Sequence, residues 1–302
     1  MCKDIDEYQM DICFVILHYI DFNSTKECVE SILQKFVNVK YKIIIVDNGS
    51  PNKSGRLLRE YFSGRVAIEI IMNDSNLGFA RGNNIGYLYA KERYHPRYIL
   101  IGNNDLKFIQ TEFYEVLKEY DDGKKFDIAG PDIVNLNGMH QNPYRENYPS
   151  RREWIKKYRN QKIMYLICQA RKGVFFLKNI DIFSKIYQNA GHRKQKQIRY
   201  NLEQSHIVLH GSCLIFANRY LQEQDEAFSD KTFMYHEEEF LYLKCMQYGY
   251  RMEYLPNLYV EHKERASTKK GTGNELEKEI FIFRENSRSL KLLIDEMKRE
   301  GL

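Results

Sequence analysis

Tyr98-Ile-Leu-Ile-Gly-Asn-Asn-Asp105 is the stretch on which the fold class turns. A short apolar run of this kind reads as a buried strand. This one ends in two amides and a carboxylate. In open α/β sheets, ligands bind outside the carboxyl ends of parallel strands. Oxygen donors at such an edge suit a hard cation such as Mg²⁺ or Mn²⁺, which commonly joins a carboxylate to phosphate oxygens. The stretch predicts a metal-assisted reaction on a phosphorylated substrate.

The flanking sequence repeats the alternation. Strand patterns are expected at 12–17, 41–46, 66–71, 98–101 and 126–129. Helical patterns fall between them, at 57–62, 80–93 and 111–120. Ser24-Thr-Lys-Glu27 has the form of a capping box and predicts a helix running to 36. Strands alternating with helices imply βαβ units, a mostly parallel sheet and right-handed crossovers. Asp47 and Asp105 then lie on one rim of that sheet.

Beyond residue 130 the pattern changes. Residues 131–149 are rich in Asn, Gly, Pro and Tyr and read as a long loop. A strand is expected at 210–217, a helix at 233–250, and short strands at 252–255 and 258–260 around Pro256. The last helix, 276–299, carries Leu290, Leu293, Ile294 and Met297 on one face.

Composition narrows the class. The chain has 302 residues and a net charge of +5. Six cysteines are scattered without a Cys-x-x-Cys pair, which reads as reduced core thiols of a cytosolic protein. Residues 1–10 are polar and acidic, so no signal peptide is expected. No apolar run approaches the roughly 20 residues a membrane span needs. The charge concentrates in 151–199, where Arg151, Arg152, Lys156, Lys157, Arg159, Lys162, Arg171, Lys172, Arg193, Lys194, Lys196 and Arg199 face only Glu153 and Asp181. Trp154, Tyr158, Tyr165 and Phe175 are interleaved with them. Solvated helix faces explain such a segment, and so does a surface for anionic lipid. No nucleic-acid module accompanies it, so no nucleic-acid partner is expected.

Four constellations carry chemistry. Asp47 ends an Ile-Ile-Ile-Val run beside Asn-Gly, where it either forms a turn or accepts hydrogen bonds from a base or ribose. Asn76-Leu-Gly-Phe-Ala-Arg-Gly-Asn-Asn-Ile-Gly86 sets amides, glycines and Arg81 at a loop-to-helix junction, a place suited to an anion. His236-Glu-Glu-Glu239 opens a helix, where acidic residues either complement the dipole or supply a general base. Mutual repulsion would raise at least one carboxyl's pKa. His262 closes a short strand and is a possible metal ligand.

Taken in order, these pieces resemble the family 2 glycosyltransferases of the GT-A fold, in particular bacterial rhamnosyltransferase-like members that build surface polysaccharides. The resemblance runs from about Asp11 to Ser289. It implies a Rossmann-like, mostly parallel α/β sheet flanked by helices, with a C-terminal acceptor side and a helical extension. The implied division is a GT-A domain over 1–275 and a terminal amphipathic helix over 276–302. Within the domain, 11–130 is the nucleotide-sugar half, 131–275 the acceptor half, and 151–199 the basic segment. Tyr19 and Asp47 match the positions that seat the nucleotide. Asn76, Gly78, Arg81 and Asn84 belong to the Asn/Gly segment. Asn103-Asn104-Asp105 stands at the Asp-x-Asp motif, with Asp105 and His262 implied to hold Mg²⁺ or Mn²⁺. Gly211 and Ser212 would line the sugar and acceptor space. Glu238, with Glu237 beside it, matches the base. Two positions depart: Asn103 and Phe240 stand where relatives carry Asp.

The implied reaction is inverting transfer from a nucleotide-diphosphate sugar to a hydroxyl of a glycan or polyprenyl-diphosphate-linked saccharide, in capsule, O-antigen or similar synthesis. A cytoplasmic enzyme at the inner face of the membrane is the expected setting. Two other readings stay open. A sugar nucleotidyltransferase shares the scaffold, but would want a Gly-rich triphosphate loop where His18-Tyr-Ile-Asp-Phe-Asn23 stands. A membrane- or nucleic-acid-binding scaffold on a degenerate transferase fold is the non-enzymatic alternative.

Overall fold

In the computed structural model, residues 8–173, 199–264 and 275–302 are described. The chain divides into two compact units, 1–148 with 200–270 and 149–199 with 271–302.

The first unit is built on one sheet. Its opening half alternates β1 (Met10–His18), α1 (Phe22–Lys35), β2 (Tyr41–Asp47), α2 (Ser54–Tyr61), β3 (Ile68–Met72), α3 (Phe79–Tyr94) and β4 (Pro96–Asn103). There follow β5 (Leu106–Phe108), α4 (Phe113–Lys124) and β6 (Ile128–Asn135). After residue 199 come β7 (Gln204–Ser205), β8 (Cys213–Ala217), α6 (Asn218–Glu223), α7 (Glu237–Tyr248) and β9 (Met252–His262). Strand order is β3-β2-β1-β4-β8-β6-β9-β5, with β7 on β9. The strands β8, β5 and β7 run against the others.

Strand β1 shows why the sheet is central. Ile12, Phe14 and Ile16 pack into one core with Val29, Ile32 and Phe113, while Cys13 and Val15 pack into another with Tyr87 and Ala90. Helices thus cover both faces, which is why the inner strands read as continuous apolar runs instead of alternating ones. The five described cysteines are free and buried.

Several boundaries differ from the sequence reading. Asp21, not Ser24, caps α1: its carboxylate accepts from Ser24 N at 3.4 Å and Ser24 Oγ at 3.0 Å. The stretch taken as the start of a long loop continues β6 to Asn135, because it is buried throughout. Residues 252–262 form one strand, not two. The ladder with β6 breaks between Pro131 and Asp132, pairing Leu255 and then Tyr259, so the residues around Pro256 bulge. The three-residue β5 had no periodicity to announce it.

The second unit holds α5 (Arg151–Gly173) and α8 (Glu275–Arg299). Cys168 of α5 packs with Leu276, Ile280 and Phe283 of α8. The basic segment and the terminal helix, assigned to separate regions by sequence, therefore share one unit. Arg193, Lys194, Lys196 and Phe175 of that segment lie outside the described residues. Among the described residues, no helix is long and apolar enough to cross a membrane.

Candidate active site

The predicted residues gather along the carboxyl-end rim of the sheet. Parallel pairing sets His18 of β1 opposite Asp47 of β2. Tyr19 follows directly and is half-buried. Asp47 is buried, and its Oδ1 accepts from Ser50 N and Oγ. Gly55 lies so close that a Cβ there would sit 2.1 Å from Asp47 Oδ2. His18, which the sequence reading passed over, ties this corner together. Its Nδ1 meets Thr25 Oγ1 at 2.6 Å and its Nε2 meets Ser54 Oγ at 2.8 Å. Burial lowers its pKa to about 4 against the pull of Asp47 and Asp21, so it sits there neutral. Asn104 Nδ2 donates to the same Thr25 hydroxyl at 2.9 Å. One network thus joins the ends of β1 and β4 to the starts of α1 and α2.

The carboxylate of Asp105 is buried, and its Oδ1 lies 3.1 Å from His262 Nε2. The sheet explains the meeting: Leu106, the next residue, pairs with His262 in the β5–β9 ladder. The other ring nitrogen, His262 Nδ1, faces Gln141 Oε1 at 2.7 Å. A carbonyl oxygen only accepts, so Nδ1 carries a proton in that bond. This orienting bond is what a metal-binding imidazole uses. One carboxylate and one imidazole fit a Mg²⁺ or Mn²⁺ ion that fills its remaining positions with phosphate and water oxygens. Asn103, by contrast, enters the sheet: its N donates to Ser212 O at 2.8 Å.

The side chains of the Asn/Gly segment also hold the fold together. Asn48 Nδ2 donates to Gly78 O at 2.9 Å and Asn76 Oδ1 at 3.1 Å. Asn76 Oδ1 also accepts Gly78 N at 2.9 Å. Phe79 N, at the start of α3, donates to Phe233 O at 2.8 Å. Asn84 clasps Phe228 by both backbone groups, at 2.8 and 3.0 Å, and Arg81 Nε donates to Asp230 O at 3.1 Å. Gly78 has φ +85°, and a Cβ on it would lie 2.2 Å from Phe233 O. Together these bonds fasten residues 228–233 to α3, immediately ahead of the glutamate cluster.

That cluster is held in a strained approach. Tyr235 and His236 both have positive φ, 73° and 72°, a costly region for non-glycine residues. The three glutamates then part. Glu237 is buried and accepts from Thr232 Oγ1 at 3.1 Å. Glu239 is buried and pairs with Arg145 Nε and His236 Nδ1, each at 3.3 Å. Glu238 is only partly buried, and its Oε1 accepts from Gly211 N at 3.2 Å. Burial raises the pKa of both Glu237 and Glu238; repulsion from Glu238 adds to the first and from Glu239 to the second.

Gly211 links the glutamate to the Asp105–His262 corner. Its neighbour His210 packs against His262, ring centroids 6.0 Å apart. His210 Nδ1 accepts from Ser212 N at 3.2 Å and contacts Ser212 Oγ at 2.9 Å. Burial, and then the charge of His262, lower its pKa to about 4. His210 and Arg145 were absent from the sequence reading; His210's place directly before Gly211-Ser212 was the available signal. The arrangement sets a partly buried carboxyl with a raised pKa beside the Asp105–His262 pair and the His18–Asp47 corner.

Residues 13–187 match the Glycosyl transferase family 2 profile, and the chain belongs to that family. Over 141 residues it is 24% identical to the low-salt glycan biosynthesis hexosyltransferase Agl10 of Haloferax volcanii, a match covering 47% of this chain and 42% of that protein. Among solved structures it is similar to S. aureus TarS 1-349 in complex with UDP-GlcNAc, with a TM-score of 0.52, 13% identity and coverage of 91% of this chain and 66% of that one. GalNAc-T7 with UDP, GalNAc and Mn²⁺ gives 0.54 and 12%, covering 86% of this chain and 44% of the other. The chain thus spans under half of Agl10 and no more than two thirds of these solved chains. Its fold is the GT-A fold of those glycosyltransferases.

Proposed function

We propose that this chain is an inverting glycosyltransferase that moves a sugar from a nucleoside-diphosphate donor to a hydroxyl of a glycan or lipid-linked saccharide. The observation that carries the reading is Glu238. It is the one glutamate of its cluster that is not fully buried, its pKa is raised, and Gly211 connects it to the Asp105–His262 corner. The acceptor oxygen attacks the anomeric carbon opposite the diphosphate. The carbon–oxygen bond to the diphosphate breaks, the electron pair leaves with it, and the acceptor proton passes to Glu238. Asp105 and His262 would hold Mg²⁺ or Mn²⁺, which supplies positive charge against the departing diphosphate. Tyr19, Asp47 and the His18 network seat the nucleoside, and Gly211 and Ser212 border the sugar. UDP and UDP-GlcNAc bound to TarS, and UDP with Mn²⁺ bound to GalNAc-T7, support this class of donor and ion.

The test is Glu238→Gln, which keeps shape and removes the base. Transfer from nucleotide sugars should fall by at least about 10²-fold while nucleoside diphosphates still raise the melting temperature. Wild-type turnover in this variant rules out the assignment.

The product belongs, on this reading, to cell-surface polysaccharide such as capsule or O-antigen, with rhamnose among the sugars carried. The exposed side of α5 supports an acceptor held at an anionic membrane: Arg152, Lys156, Arg159 and Lys162 lie exposed there, as do Ile163 and Leu166. Co-sedimentation with anionic liposomes at low salt, weakening as salt rises, is the expected behaviour; no binding at low salt refutes the membrane part alone.

A further inference from the structure

Tyr144 is an aromatic ring with an unexplained position. It stands in the segment that sequence reading left as a loop, yet its backbone is tightly held. Tyr144 N and Arg145 N both donate to Val208 O, at 2.9 and 3.1 Å, and Val208 N returns a bond to Arg145 O at 3.0 Å. Asn142 braces the same turn from both ends of its amide, accepting from His210 N at 3.0 Å and donating to Pro131 O at 2.7 Å.

The ring itself is fixed on two sides. The imidazole of His210 meets it edge-to-face at 5.6 Å and 84°, and the Arg145 guanidinium lies 4.7 Å from its centroid. Even so, Tyr144 remains 38% exposed. Its partner His210 directly precedes Gly211, whose N–H bonds Glu238 at 3.2 Å, so the ring stands at the Glu238 end of the site. His210 adds a donor: Ser212 N occupies Nδ1 as acceptor, so the neutral ring carries its proton on Nε2.

We propose that Tyr144 and His210 form the acceptor subsite, in which a pyranose ring packs against the exposed part of Tyr144 and presents its hydroxyl to Glu238. The chemistry is that of a sugar's C–H face, which is weakly positive, against the negative face of an aromatic ring. A rigid platform loses little entropy on binding. The ligand class is a neutral saccharide ring and not a phosphate, since the Arg145 guanidinium beside Tyr144 is already paired with Glu239 and the charges of Glu238 and Glu239 bear on this ring. The inference rests on the transferase reading for the role of Glu238, but the contact itself is measurable without turnover.

The experiment uses the full chain with UDP present and the methyl glycosides of glucose, galactose, mannose and N-acetylglucosamine as probes. Binding is read by saturation-transfer NMR, and UDP binding by thermal shift. At least one glycoside should receive saturation from the wild type and from Tyr144→Phe. The signal should drop about tenfold in Tyr144→Ala, the size expected for one aromatic contact, with the UDP shift unchanged. Tyr144→Leu provides a second ring-free variant should the alanine protein fail to fold. Undiminished saturation in the ring-free variants, or no saturation from any glycoside in the wild type, overturns the subsite. A wild type that no nucleoside diphosphate stabilises refutes the donor reading instead, and leaves a Tyr144-dependent glycoside signal standing.

Discussion

Gly211→Ala isolates the position of the base from its presence. Gly211 has no positive φ, so alanine is compatible with its backbone. The obstacle is the Glu238 carboxyl: an added Cβ would lie 2.6 Å from Oε1, 3.1 Å from Cδ and 3.2 Å from Cγ. Ordinary contact begins near 3.4 Å, so Oε1 must retreat by about 0.8 Å. The carboxyl end of a glutamate moves easily, so the fold should tolerate this. Replacing Gly by Ala at a compatible site contributes about 0.4–1 kcal/mol through the unfolded chain, which offsets the crowding. The melting temperature should stay within about 3 °C of wild type. The catalytic cost is larger, because a misplacement near 1 Å lowers rates by about 10²-fold, or about 2.7 kcal/mol in the barrier. Steady-state kinetics should therefore show kcat reduced about a hundredfold. A kcat within about threefold of wild type would show that Glu238 does not work from the place where Gly211 holds it.

Two further outcomes follow from the same groups. Glu238 is held up to about 7 in the fold against an ordinary value of 4.5, and only its carboxylate takes a proton, so kcat/KM should climb with pH through about 7. Between 4.5 and 7 the native protein keeps a proton that the unfolded chain has released, so this group's contribution to stability declines as pH rises through that window. Glu238→Gln stays neutral and should raise the melting temperature more at pH 8 than at pH 5; a variant less stable than wild type at pH 8 contradicts the burial argument. Asp105→Ala should abolish the part of UDP's thermal stabilisation that depends on Mn²⁺, as EDTA should in the wild type. An unchanged Mn²⁺-dependent shift would place the ion elsewhere.

The strand-end residues Asp47 and Asp105 were legible because apolar runs fixed the strands, and a parallel strand delivers its last residue to a known edge. The glutamate cluster was legible as a group, but its members were not separable by sequence. Three adjacent carboxylates differ only in what the fold sets against them: Thr232 against Glu237, Gly211 against Glu238, Arg145 against Glu239. The partners of the Asn/Gly segment were hidden for a related reason. Its composition announced a helix start with many hydrogen-bonding groups, and such groups suit an anion. Their partners, the backbone of Phe228, Asp230 and Phe233, lie about 150 residues away, with separations of 144 and 149 for Asn84 and Arg81.

By itself the sequence determined the layered α/β class, the rim on which the site lies and the carboxylates available there, because these follow from short-range periodicity and strand-end chemistry. Only the tertiary structure decided which glutamate stays partly exposed, why His262 meets Asp105 and where Tyr144 stands. Those depend on ladder register and on contacts between residues far apart in the chain, which local pattern does not encode.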